Sequence, residues 1–366
     1  MNRPDRILVR GTNWLGDAVM TAPALLRLRE RFPGAHIALL TPEKLLALWL
    51  NHPGIDELIS FPPDESVFSV AKKLRAGKFD AALVLPNSPR SAIEVYLAGI
   101  PRRTGYARPW RNLFLTYVVP PRQGAMKMRK RSPAEIRELV GLPQNVTQNS
   151  KPITQNSSRH QINEYLNLAA AWGADPAPTP PKLFVGADEL DAAKKKFGLE
   201  NISNPIFGLN PGAEYGPAKR WPIGRFIAVA KEIQRRTNCV WILFGAGNDV
   251  ELANQIEAAM SSRDAVFNLA GKTSLRELMS LLKLCRVFLT NDTGPMHLAA
   301  ALGIRVVAIF GSTSPELTGP VSADGLRHAI LASDAPCSPC FLRECPIDFR
   351  CMNGIEVERV VEAVGK

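Results

Sequence analysis

Seven short apolar runs, at 7–10, 37–40, 81–85, 206–210, 240–244, 287–290 and 306–310, recur along the chain with helical patterns between them. A run that is apolar at nearly every position predicts a strand buried on both faces, and strands alternating with helices predict a parallel sheet flanked by helices. The pattern comes in two rounds. Between them, 143–161 shifts to Gln, Asn, Ser and Thr, and 175–181 is a proline-rich connector. Too few apolar groups in the polar stretch can offset the entropy of ordering it. The expected architecture is α/β, with two Rossmann-like domains facing across a cleft. The first covers 1–180, with a mobile insertion at about 125–160; the second covers 181–366, and its Cys-rich tail and terminal helix are candidates to pack back on the first. In doubly wound sheets ligands bind outside the carboxyl ends of the strands, which places the expected site between the domains.

Each half of the 366 residues is long enough to bury its own core. No stretch approaches the ~20 apolar residues that span a bilayer. The chain opens on an apolar run of only 7–10, too short for a signal-peptide core, so a cytoplasmic location is expected. Charge is unevenly spread. Between Val95 and Ala134 lie Arg102, Arg103, Arg108, Arg111, Arg122, Lys127, Arg129, Lys130 and Arg131, with no Asp or Glu. Such a field implies an anionic partner, for which nucleic acid, anionic lipid and a phosphorylated glycolipid all qualify; a merely solvated basic face is the other reading.

Three glycine-punctuated segments follow predicted strands. In Gly11-Thr-Asn13-Trp14-Leu-Gly16-Asp17, the acid opens a helix, where it either caps free N–H groups or serves as an ionised proton acceptor. In Asn210-Pro-Gly212-Ala-Glu-Tyr-Gly-Pro-Ala-Lys219-Arg220-Trp-Pro222, backbone N–H groups and a cation suit a phosphate, although the nucleotide-triphosphatase order Gly-x4-Gly-Lys-Ser/Thr is absent. In Thr290-Asn-Asp292-Thr293-Gly294-Pro295-Met296-His297, a helix N-terminus forms an anion site and Asp292 can accept from sugar hydroxyls. Read alone, His297 and Met296 are ordinary helix-packing residues. No Gly-x-Gly-x-x-Gly follows the first strand, which disfavours a dinucleotide dehydrogenase.

Taken together, Gly16-Asp17-Ala-Val-Met-Thr-Ala-Pro23, Asn210-Pro-Gly-Ala-Glu, Ala218-Lys-Arg-Trp-Pro222, Phe244-Gly245 leading to Asp249, and Asn291-Asp-Thr-Gly-Pro-Met-His-Leu-Ala-Ala-Ala301 resemble the ADP-heptose:lipopolysaccharide heptosyltransferases, with the heptosyltransferase II group nearest. The resemblance runs through both halves in order, apart from the 125–160 stretch. It implies the B-type glycosyltransferase fold. It also implies inverting, metal-independent transfer of L-glycero-D-manno-heptose from ADP-heptose to the lipopolysaccharide inner core, the second heptose in particular, with no cofactor required. By the same resemblance Asp17 is the catalytic base and Lys219 meets the donor diphosphate. Gly212, Asp292, Thr293, Gly294, Met296 and His297 hold the donor, and Asp249, or Glu251 beside it, contacts the ribose. Asn13, Trp14, Arg102, Arg103, Arg129, Lys130 and Arg131 are expected to face the glycolipid acceptor, with peripheral contact at the cytoplasmic face of the inner membrane and no nucleic acid as partner.

Cys337-x2-Cys340-x4-Cys345-x5-Cys351 is spaced for either reduced, packed thiols or a structural zinc site. Two further classes stay open: a transferase or epimerase acting on another sugar nucleotide, and a basic nucleic-acid-binding protein suggested by the aromatics within the 95–134 segment.

Overall fold

The computed structural model describes residues 4–126, 128–141, 158–260, 265–321 and 326–366. Described residues within Met1–Ala125 and Ser158–Phe184 form one compact unit, and those within Met126–Ser157 and Val185–Lys366 form another. Residues 126 and 128–141, expected as part of an insertion of the first domain, thus count with the second unit.

Six strands build the first unit: β1 (Arg6–Arg10), β2 (His36–Pro42), β3 (Glu57–Phe61), β4 (Ala81–Val84), β5 (Arg102–Tyr106) and β6 (Tyr117–Val119). Their order is β3-β2-β1-β4-β5-β6. The second unit has β7 (Ile206–Asn210), β8 (Val240–Leu243), β9 (Val266–Asn268), β10 (Val287–Asn291), β11 (Arg305–Phe310) and β12 (Ala329–Ala332), ordered β12-β11-β10-β7-β8-β9. Counted from its own first strand, the second sheet repeats the order of the first, and every pairing in both is parallel. This is the α/β fold of two Rossmann-like sheets that the sequence implied.

Five strands, β3, β5, β6, β9 and β12, lie outside the seven predicted runs. Four of them are sheet edges, where one side meets no neighbouring strand. An edge does not need an unbroken apolar sequence: β3 and β12 are mostly half-buried, and β6 exposes Tyr117. The inner strand β5 opens on Arg102 and Arg103, which hides it among the basic residues.

In the first unit, the helix Leu15–Arg31 buries Val19, Ala22, Leu25 and Leu28 and packs on the helix Ile162–Ala170. The valine and leucine side chains each contribute about 1.5–3 kcal/mol when fully buried. In the second unit, the helix Ile223–Thr237 buries Phe226, Val229 and Ile233, and the terminal helix Val357–Gly365 packs against it, adding Val360, Val361 and Val364 to the same core. Among the described residues no helix is long and apolar enough to cross a membrane.

This strand order reverses its winding between β1 and β4, and again between β7 and β10. Such a reversal opens a crevice at the carboxyl ends of those strands. The loops leaving them carry the three glycine-punctuated segments.

Candidate active site

In the second unit, side chains of the β10 end stitch the 210–222 loop into place. Asn291 Nδ2 donates to the carbonyls of Pro211 (2.8 Å) and Gly212 (3.2 Å), while its Oδ1 accepts from Trp221 N (3.0 Å). Asn210, at the end of β7, donates to the hydroxyls of Thr290 and Thr293, each at 3.4 Å. These bonds carry Lys219 to the carboxyl end of β10. Its Nζ donates to Asp292 Oδ2 at 2.6 Å, and the same oxygen accepts the Thr313 hydroxyl, also at 2.6 Å. Lys219 also lies over the Tyr215 ring, 5.2 Å from its centroid. The lysine side chain retains 15% exposure and Asp292 4%, so the pair is largely desolvated while the cation still reaches solvent.

Asp249 also meets this loop. Its carboxylate accepts from Ala246 N (3.1 Å) and lies 3.5 Å from Arg220. A Cβ on Gly212 would come within 2.2 Å of that carboxylate, and one on Gly245 within 2.7 Å of the Asp249 Cβ. The glycines there make room for an acid. Glu251, by contrast, is exposed on the helix Val250–Ala259 and accepts from Gln255. The helix Gly294–Ala301 follows β10 with Thr293 as its extended N-cap and Pro295 in its first turn, and buries Met296 and His297.

The first unit holds its acid differently. Trp14, not Asp17, is the residue that precedes the helix Leu15–Arg31; Asp17 lies in the first turn. Gln161 Nε2 donates to Asp17 Oδ1 (2.9 Å) and to the Tyr165 hydroxyl (3.0 Å). Burial, with the Asp17 charge second, holds the Tyr165 phenol well above its ordinary pKa, so it stays neutral beside the acid. Asn13 accepts from the buried Arg10 guanidinium at 2.8 Å, and that guanidinium also donates to Glu94 at 2.9 Å. Trp14 is half exposed, with Lys44 Nζ 5.3 Å from its ring centroid.

The basic segment does not form one field. Arg103 spends its donors on the carbonyls of Phe114 (2.7 Å) and Ile100 (2.5 Å), and Arg111 is fully buried. Counter-acids arrive from elsewhere in the chain: Glu164 meets Arg122 at 2.9 Å and Glu135 meets Arg129 at 2.7 Å. Arg102 lies on β5, whereas Arg129, Lys130 and Arg131 belong to the second unit, where Arg131 N donates to Cys340 O (3.0 Å) and its guanidinium to Pro336 O (3.1 Å). Lys127 falls outside the described residues.

Cys337, Cys340 and Cys351 are buried, and burial is the first cause raising each thiol, Cys351 to about 12. Among the described residues no group of three or more His, Cys, Asp or Glu side chains is arranged to hold a metal, which leaves the zinc reading of these cysteines without a ligand set. Sequence reasoning missed Gln161, lost in the polar stretch, and Thr313, although Gly311-Ser-Thr313-Ser follows a predicted strand just as the three singled-out segments do.

The glycosyltransferase family 9 (heptosyltransferase) profile matches residues 67–157 and 143–349. Lipopolysaccharide heptosyltransferase 2 of Escherichia coli K12 is 32% identical over 332 residues, covering 87% of this chain and 86% of the relative. The solved structure of E. coli ADP-heptose lipopolysaccharide heptosyltransferase II superposes with a TM-score of 0.76 at 29% identity, covering 98% of this chain and 97% of the other. A glycosyl transferase family 9 protein from Veillonella parvula shares the fold, with a TM-score of 0.78 at 22% identity over 100% and 98% of the two chains. With the profile spanning most of the chain and a relative 32% identical over 87% of it, this chain belongs to glycosyltransferase family 9, the heptosyltransferase family.

Proposed function

We propose that the protein transfers L-glycero-D-manno-heptose from ADP-heptose to the inner core of lipopolysaccharide, adding the second heptose with inversion and without a divalent metal, as a peripheral protein at the cytoplasmic face of the inner membrane. The observation that carries this reading is the Lys219–Asp292 pair, a largely desolvated cation at the carboxyl end of the inner strand β10, in a chain whose relatives are named heptosyltransferases. An acceptor hydroxyl attacks the anomeric carbon, its proton passes to Asp17, and the bond to the diphosphate breaks with its electron pair leaving on ADP. A positioned base of this kind contributes ~10²–10⁴ in rate. Lys219 and the N–H groups of Thr293 and Gly294 stabilise the charge that develops on the departing diphosphate. Asp292 and His297 orient the donor, Asp249 beside Gly212 takes the ribose, and Asn13, Trp14 and Arg102 meet the acceptor.

The test is ADP release from ADP-heptose against a panel of truncated inner-core glycolipids, with the anomeric configuration of the product read by NMR. Release should require an acceptor that already bears one heptose, and EDTA should leave the rate unchanged. Turnover without acceptor, retention of configuration or strict dependence on magnesium would overturn the corresponding part of the proposal.

A further inference from the structure

Apolar side chains stand out from the first unit far more than from the second. Of the nine large hydrophobic residues exposed among the described residues, eight belong to the first unit and only Met128 to the second. The two most exposed, Trp110 at 83% and Leu113 at 82%, share one short loop between β5 and β6.

That loop is tightly built. Arg108 N donates to Asn112 Oδ1 (2.9 Å), Phe114 N to Arg111 O (2.9 Å) and Leu115 N to Asn112 O (3.2 Å). Arg111 and Phe114 root it: the guanidinium is buried and donates to Asn87 Oδ1 (3.2 Å), and the phenyl ring packs edge-on against Tyr96 (5.4 Å). Two pairs with the same three-residue spacing thus have opposite fates, Arg111 and Phe114 held within the unit and Trp110 and Leu113 turned to solvent. Trp110 sits in the left-handed region (φ 65°), which a bulky aromatic adopts only where its turn fixes it. Arg108 is exposed on the same loop, and no acid occurs in sequence from Val95 to Ala134.

A preformed tip of tryptophan and leucine beside an exposed arginine matches the boundary between lipid headgroups and acyl chains. Indole rings favour that boundary, leucine partitions below it, and arginine is drawn to anionic headgroups. We propose that the 107–116 loop is a bilayer wedge, inserting Trp110 and Leu113 into an anionic membrane surface while Arg108 stays at the phosphates. This names the contact behind the peripheral location proposed above, and rests on that reading only in that the acceptor is lipid-anchored.

The full chain is floated with vesicles of phosphatidylcholine, with and without phosphatidylglycerol. The wild type should bind the anionic vesicles, and Trp110→Ser with Leu113→Ser should weaken that binding roughly tenfold or more. Arg108→Gln should reduce the preference for phosphatidylglycerol. Heptose transfer to a delipidated, water-soluble core saccharide should be unchanged in the double variant, which shows it folded. Equal vesicle binding by the double variant and the wild type overturns the proposal, as does failure of the wild type to bind. So does loss of transfer to the soluble acceptor with vesicle binding intact, which would make the loop part of a saccharide site. If the wild type binds vesicles but transfers no heptose to any acceptor, the functional reading fails while the wedge stands.

Discussion

The two units share one strand order yet handle charge at their sheet ends in opposite ways. In the first, Arg10 ends β1 fully buried against Glu94, with side-chain exposures of 2% and 0%, and Glu94 also accepts from Arg90. Burial pulls the Arg10 pKa down while Glu94 pushes it back. Sealed from solvent, this pair fixes the loop of Asn13 and presents nothing to a ligand. Removing one partner of such a pair leaves a buried charge and costs about 3–5 kcal/mol. In the second unit the cation is left at the rim, and an anion can compete with Asp292 for it. Under the proposed function, one fold would use an ion pair as a scaffold in one copy and as a receptor in the other, while the acid of the first unit, Asp17, accepts from the neutral amide of Gln161.

The contrast breaks most sharply at Asp17. Asp17→Ala should lower transfer by roughly 10²–10⁴ while ADP binding by calorimetry stays as it was; activity within tenfold of wild type removes the acid from the chemistry. Lys219→Ala should weaken ADP-heptose binding and slow transfer by about 10²–10³, and an unchanged donor affinity and rate would make the Lys219–Asp292 pair as structural as Arg10–Glu94. A smaller effect is expected at Thr313, whose hydroxyl holds the Asp292 oxygen that Lys219 shares. Thr313→Val loses a hydrogen bond to a charged group, about 1.5–3 kcal/mol, and should raise KM for the donor by roughly tenfold or more. Thr313→Ser should restore it. A normal KM in Thr313→Val beside a raised one in Thr313→Ser would mean that the methyl group, not the hydroxyl, matters.

The smallest effect concerns what the units have in common. His52 in the first and His328 in the second are buried, and burial lowers both from 6.5 to about 4. The unfolded chain takes up protons first, so stability is full above about pH 6.5 and falls as pH drops toward 4, by about 2 kcal/mol for each histidine at pH 5. Urea unfolding at pH 7 and pH 5 measures this, and His52→Leu should flatten the pH dependence by about half. An unaltered slope would show that His52 titrates alike in the folded and the unfolded chain.

What could be read from the residues followed burial. Inner strands such as β1 and β10 are apolar along most of their length because both faces and both edges are covered, and that pattern survives in the sequence. β3 and β12 needed only partial covering, so no periodic signal marks them. The loops bearing Asp17, Lys219 and Asp292 were legible because glycines and prolines punctuate them at strand ends. Their partners were not. Gln161 reaches Asp17 across 144 residues from a stretch whose composition signals disorder, and nothing local to either residue encodes that meeting. The basic segment misled for a similar reason: Glu164 neutralises Arg122 from 42 residues away, beyond any window in which charges are counted.

The helix Pro133–Gly141 has a consequence for the order in which the protein comes into being. Ile136 shares a small apolar cluster with Cys337 and Cys340, and Arg131 bonds to Pro336, 205 residues further on. On a ribosome the chain emerges from its N-terminus, and contacts so distant in sequence are slow to close. The first unit has all its residues once Phe184 has emerged, while a helix made before that point waits for a partner near the end of the message. The second unit is therefore not a piece that can be separated from the first by one cut at 184: a chain beginning at Val185 would lack the cover over its own cysteines.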